Sequence, residues 1–259
     1  LSGQIAALST LALTFIARPL GAILFGHFGD RFGRKNTFVI SLLVMGVSTM
    51  VIGLLPTYDS IGIWATLLLC LCRIGQGIGL GGEWGGAALV AIENAPEGKR
   101  GWYGTFPQLG APLGLLLANG AFLLITDILG SAAMTDWAWR IPFLSSSILV
   151  VIGLYVRLKL AEAPIFVTAL DKPQPKTLPM VEVIITHFKP FFLGMLICIA
   201  GYVLFYIIIA FSQIYAKSAP SQSEAGYAMG LGFSPQIFTA LLMCSAISLA
   251  ITIAISGKY

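Results

Sequence analysis

Seven long apolar runs, parted by polar turns, constrain this chain more than any other feature. They lie near residues 4–25, 36–55, 61–82, 101–126, 139–156, 189–213 and 234–256. About twenty apolar residues wound as a helix cross the ~30 Å hydrocarbon layer of a bilayer. A helix satisfies its own backbone there and an open strand does not, so the runs are expected to be helices. The strict alternation of a membrane barrel is absent. Only 10% of the 259 residues are charged, and mean hydropathy is +0.90. A soluble domain carries roughly 25% charged residues, so lipid has to be the solvent. The predicted fold class is all-α, a polytopic helical membrane protein.

The net charge of +4 would invite a nucleic-acid reading, but the basic residues form no patch. Eleven of the fifteen Lys and Arg fall on alternate loops. They are Arg31, Arg34, Lys35, Lys99, Arg100, Arg157, Lys159, Lys172, Lys176, Lys189 and Lys258. The intervening loops hold Arg140 and Lys217 beside Asp59, Asp127, Asp136 and Glu224. The positive-inside rule assigns the basic loops to the cytoplasm, with Leu1 outside and Tyr259 inside. The opening LSGQIAALST has no basic region of the signal-peptide type. An odd helix count and an abrupt start lead us to expect an incomplete chain.

Within this frame a few stretches stand out. Residues 26–35, GHFGDRFGRK, put Asp30, Arg31, Arg34 and Lys35 among glycines and read as a tight polar hairpin between two spans. Arg18 lies inside the first run and is expected to face the bundle or an acid, with Glu83 at a similar height. The third run contains RIGQGIGLGGEWGG, whose glycines permit close helix packing. Its Arg73 lies ~18 Å along a helix starting near Ile61, close to the bilayer midplane. A cation there requires water or an anion, and no acid lies within a turn of it. Glu93 and Arg100 fall in a second basic hairpin and are candidates to pair with the first.

Pro107 and Pro112 predict a kink in the fourth run, where Gln108 is a polar group in need of a partner. Trp137 and Trp139 read as interfacial anchors. Residues 158–188, rich in Pro and Lys, read as a linker. Tyr202 and Tyr206 share one face of the sixth run. Cys70, Cys72, Cys198 and Cys244 all sit in apolar runs and are expected to pack as small buried residues. His27 and His187 have no nucleophile or metal constellation around them, so neither an enzyme nor a cofactor is expected.

GHFGDRFGRK, PTYDSIGIWA, RIGQGIGLGGEWGGAAL, ENAPEGKRG, WRIPF and EAPIF follow one another in this order. Together they resemble the metabolite:proton symporters of the major facilitator superfamily, most closely over residues 1–166. The resemblance implies a twelve-helix fold of two six-helix halves, of which this chain would hold helices two to eight. Residues 1–157 would then be the first half without its first helix, 158–188 the central cytoplasmic linker, and 189–259 the start of the second half. It also implies secondary active transport, here proton-coupled symport of a small carboxylate or zwitterion across the bacterial inner membrane. The partners are then a metabolite, protons and the bilayer, with a monomeric protein and no nucleic acid. By resemblance Arg73 and Gln108 become candidates for substrate binding or proton coupling, and Glu83 and Tyr206 join them as polar groups within the spans. Asp30, Arg31, Arg34, Glu93 and Arg100 become a cytoplasmic gate.

Two readings from other classes stand beside it. A seven-helix receptor of the light-sensing type calls for a mid-membrane Lys on the last helix, and Lys258 lies at the chain end. A channel calls for a ring of acids or a filter segment, and neither motif occurs.

Overall fold

The computed structural model describes residues 2–159, 184–217, 221–222, 228–229 and 231–258. Among them, α1 (Ser2–Phe32), α2 (Arg34–Leu54), a single turn α3 (Tyr58–Ile61), α4 (Ile63–Glu93), α5 (Arg100–Ala133) and α6 (Arg140–Lys159) follow in order. Then come α7 (Phe188–Tyr206), α8 (Ser212–Lys217) and α9 (Pro235–Ser256). π-helical turns occupy Met134–Ala138 and Ile207–Phe211. Two two-residue strands, β1 (Ser221–Gln222) and β2 (Ala228–Met229), pair antiparallel. Among the described residues, seven helices are long and apolar enough to cross a membrane. Their outer faces carry large exposed side chains such as Ile16, Leu20, Ile128, Ile148 and Ile197. Such faces suit lipid and not water.

The chain divides into two compact units. One comprises Leu1–Gln108, Leu124–Gln174 and Ser256–Tyr259; the other Leu109–Leu123 and Pro175–Ile255. In the first unit α4 lies in a groove made by α1 and α2, and its glycines explain why. A methyl group on Gly77 or Gly81 would overlap the carbonyl oxygens of Thr14 and Arg18 in α1. On another face of α4, a methyl on Gly79 would stand 2.7 Å from the Ser41 carbonyl oxygen of α2. Gly75 and Gly86 likewise meet Ser48 and Phe38. Spacings of four and seven residues keep each glycine set on one helix face. Along α2 these glycines meet the Phe38 ring, the Met45 Cβ and the Ser48 hydroxyl. Thr37, Ser41 and Ser48 turn their hydroxyls back to the carbonyls of Gly33, Phe38 and Val44, 2.7–3.0 Å away. Those polar groups are thereby satisfied inside an apolar contact.

The contacts also fix direction. Residues 14 and 18 of α1 meet 77 and 81 of α4, so these two helices run parallel. α2 opposes both, and α6 opposes α2, with Val150 against Gly46 and Leu144 against Gly53. The C-terminal ends of α1, α4 and α6 therefore share one face of this unit.

Several expectations need correction. The tight polar hairpin expected over 26–35 is narrower than that stretch, for helix runs to Phe32 and restarts at Arg34. Gly33 alone makes the break, at φ 97°, a conformation only glycine adopts without strain. α4 likewise continues to Glu93, past the apolar run ending near 82, because backbone hydrogen bonding does not stop where hydropathy does. The non-helical residue in α5 is Gly130 (φ 82°), not the turns around Pro107 or Pro112. Cys198 and Cys244 are exposed and Cys70 and Cys72 half-buried, all four as free thiols, since an apolar run here need not face a protein core. Most of the 158–188 linker, residues 160–183, lies outside the described residues.

Candidate functional site

Arg73 sits on α4 ten residues after Ile63, about 15 Å along the axis. It is half-buried, and its Nη1 donates to Gln76 Oε1 at 3.1 Å, one turn further on. Gln76 Nε2 donates to Thr49 Oγ1 of α2 at 2.8 Å. Thr49 Oγ1 in turn donates to the Met45 carbonyl at 2.8 Å. Arg73 Nε is enclosed without a hydrogen-bond partner. No described carboxylate pairs with this guanidinium. Among the described residues, the groups that hold this positive charge inside a membrane-length helix are neutral. Such a charge is costly in hydrocarbon and favours an anion brought to it.

A second polar cluster lies ten residues further along α4. Glu83 Oε1 forms an ion pair with Arg157 Nη2, at the C-terminal end of α6. Arg157 Nη1 also donates to the Phe38 carbonyl of α2, and its guanidinium lies 5.8 Å from the Phe38 ring centre. Glu83 Oε2 is buried and unpaired. Arg18 is therefore not the partner of Glu83: it lies over the Phe15 ring, 4.6 Å from its centre, with Nε buried and unpaired. At the opposite end of α6, Arg140 Nη1 donates to the carbonyls of Gly53 and Leu55, at 3.1 and 2.7 Å. These are carbonyls that the end of α2 leaves without helical partners.

The remaining candidates are placed here by the elements that carry them. Gln108, on α5, is exposed and has no hydrogen-bond partner among the described residues. Tyr206 closes α7 in the second unit, with Phe205 edge-on at 5.5 Å. Glu93 is the last residue of α4, and Arg100 the first of α5, exposed. The side chains of Asp30, Arg31 and Arg34 lie outside the described residues, although their backbones belong to α1 and α2. Three contributors escaped the sequence reading: Gln76, Thr49 and Arg157. Gln76 was legible as a polar residue at i+3 from Arg73. Thr49 was a hydroxyl in an apolar run. Arg157 was counted only as a loop cation.

Residues 4–177 match the family described as "Sugar (and other) transporter". A Haemophilus influenzae protein, provisionally named a metabolite transport protein, is 88% identical over all 259 residues, which cover 58% of its length. The inner membrane metabolite transport protein YhjE of Escherichia coli K12 is 48% identical over 96% of the chain and 55% of its own length. The shikimate transporter of the same strain is 38% identical over 83% of the chain and 49% of its own. The chain thus spans about half the length of these curated relatives. Among solved structures, the E. coli xylose transporter XylE in a partially occluded inward-open conformation superposes with a TM-score of 0.58 at 18% identity. That match covers 95% of this chain and 60% of XylE. A second XylE structure, described as a proton:xylose symporter of the major facilitator superfamily, gives 0.57 at 22% identity over 64% of the chain and 38% of XylE. Those likenesses carry the fold.

Proposed function

The chain belongs to the sugar (and other) transporter family of the major facilitator superfamily, and from that premise we propose a proton-coupled metabolite carrier. The complete protein would move a small carboxylate or zwitterion together with protons across the bacterial inner membrane. One observation carries this reading. Arg73 is a cation within a membrane-length helix, and its described partners are neutral. Neutral sugars need no such charge, whereas a carboxylate forms charge-assisted bonds to it. Protonation of an acid in the complete protein would release Arg73 to take or lose the substrate, which links the two fluxes. Glu83 is the acid of this chain closest in sequence to Arg73 and a candidate for that coupling. Gln108 and Tyr206 are candidates for substrate contact. Asp30, Arg31, Arg34, Glu93 and Arg100 would form a latch at the cytoplasmic ends of the helices, made and broken as the carrier alternates.

The test is uptake by the complete protein in proteoliposomes with and without an imposed proton gradient. Radiolabelled shikimate, proline, betaine and xylose form the panel. Gradient-driven accumulation of a carboxylate or zwitterion, and not of xylose, is expected. Arg73→Lys keeps the charge but loses the planar fork, and is expected to cut uptake about tenfold or more. Arg73→Gln is expected to abolish accumulation; a variant that still concentrates substrate would make Arg73 structural.

A further inference from the structure

Arginine can only donate hydrogen bonds, and that fixes the polarity of the line beginning at Arg73. The Gln76 atom 3.1 Å from Arg73 Nη1 has to be its oxygen. The amide nitrogen then faces Thr49 Oγ1 at 2.8 Å, so the hydroxyl accepts there and sends its own proton to the Met45 carbonyl. Reversing the Gln76 amide would set N–H against N–H at the guanidinium. The line therefore has one workable direction, and it ends on the backbone of α2. It ties the charge on α4 to a neighbouring helix, so α4 alone does not set the direction of the guanidinium.

We propose that Gln76 and Thr49 are positioning residues that present Arg73, still fully charged, to a carboxylate. The proposal rests on the anion-carrier reading above. A neutral amide oxygen satisfies one N–H and steadies the side chain without cancelling its charge. A carboxylate brings a full opposite charge and two acceptor oxygens, so it is preferred at the remaining N–H groups of the guanidinium while Gln76 keeps the one at Nη1. The enclosed, unpaired Nε–H raises the energy of the carboxylate-free state and adds to that preference. The carboxylate comes from a solute or from a side chain elsewhere in the complete protein; the chemistry at Arg73 is the same.

The experiment uses the complete protein in lipid nanodiscs with 15N-labelled arginine. The Arg73 side-chain signals are identified by their loss in Arg73→Lys. Acetate is the probe and acetamide the neutral control, and the thermal unfolding midpoint is followed in parallel. Acetate, not acetamide, is expected to shift the Arg73 signals saturably. Thr49→Val, which removes the anchor of Gln76, is expected to weaken acetate roughly 2- to 12-fold, the range of one hydrogen bond, with Thr49→Ser restoring it. Gln76→Glu supplies a permanent carboxylate and is expected to hold the signals shifted and unresponsive. Wild-type signals already at that shifted position, released by Thr49→Val, would support the proposal with a side chain as the source. Signals insensitive to Thr49→Val and Gln76→Glu would overturn it. So would a Thr49→Val protein with a lower midpoint and unchanged acetate affinity, for the line would then only pack α2 on α4. Since no transport is measured, failure here is separate from failure of the uptake assay.

Discussion

Arg157 holds three groups at once: the Glu83 carboxylate of α4, the Phe38 carbonyl of α2 and the face of the Phe38 ring. Its side chain and that of Glu83 are only 22% or less exposed, so the pair is screened weakly. Removing one partner strands the other charge where water barely reaches it, and that dominates over the attraction lost. Arg157→Met is therefore expected to destabilise the complete protein by about 2–4 kcal/mol. The double variant Glu83→Gln with Arg157→Met should recover part of that loss, because it leaves no lone charge. Thermal unfolding in detergent across the double-mutant cycle measures it. A double variant no better than Arg157→Met alone would mean that the pair is solvated.

At the scale of elements, the glycines of α4 divide into two kinds. Gly77 and Gly81 abut backbone oxygens of α1, which cannot step aside. Gly85 has open space around its Cα and is exposed. Intrinsic propensity favours Ala over Gly by about 1 kcal/mol in a helix interior. Gly85→Ala is accordingly expected to be neutral or to stabilise by about that amount. Gly81→Ala has the same propensity gain but pushes α1 off α4, and is expected to abolish folded, membrane-inserted protein. Comparing detergent-extracted yield and monodispersity of the two variants settles the point. Equal behaviour would deny the close seam. Gly33 makes a third case: its φ of 97° and its place between α1 and α2 predict that Gly33→Ala strains the turn itself.

For the first unit as a whole, parallel α1, α4 and α6 bring residues 26–35, the α4–α5 turn and Arg157 to one face. Arg31, Arg34, Lys35, Lys99, Arg100, Arg157 and Lys159 belong to those helix ends in sequence, and the positive-inside rule then predicts that this face is cytoplasmic. Ser60, between α2 and α4, and Ser131, before α6, belong to the opposite end, and both are exposed. In a cysteine-free background, Ser60→Cys and Ser131→Cys are expected to react with an impermeant maleimide added to intact cells. Asn94→Cys, exposed at the other end, is expected to react only after permeabilisation. Ready labelling of Asn94→Cys in intact cells would reverse the orientation.

The seven spans, their alternating charge and the position of Arg73 along its helix were legible in the sequence, because length, hydropathy and a rise of about 1.5 Å per residue set depth directly. The motifs around Gly26, Gly75 and Pro96 carried the family as well. What depth could not determine was partnership. Arg18 was the cation expected near the height of Glu83, and the packing of α6 against α2 set Arg157 there instead. Gln76 could have turned to solvent or lipid, but the glycine seam brought Thr49 within 2.8 Å of it. Pro107 and Pro112 were the expected kink sites, and the break fell at Gly130 instead. A helix fixes how far along its axis a residue lies, whereas which neighbouring helix it faces, and what it finds there, is decided only once the helices are packed.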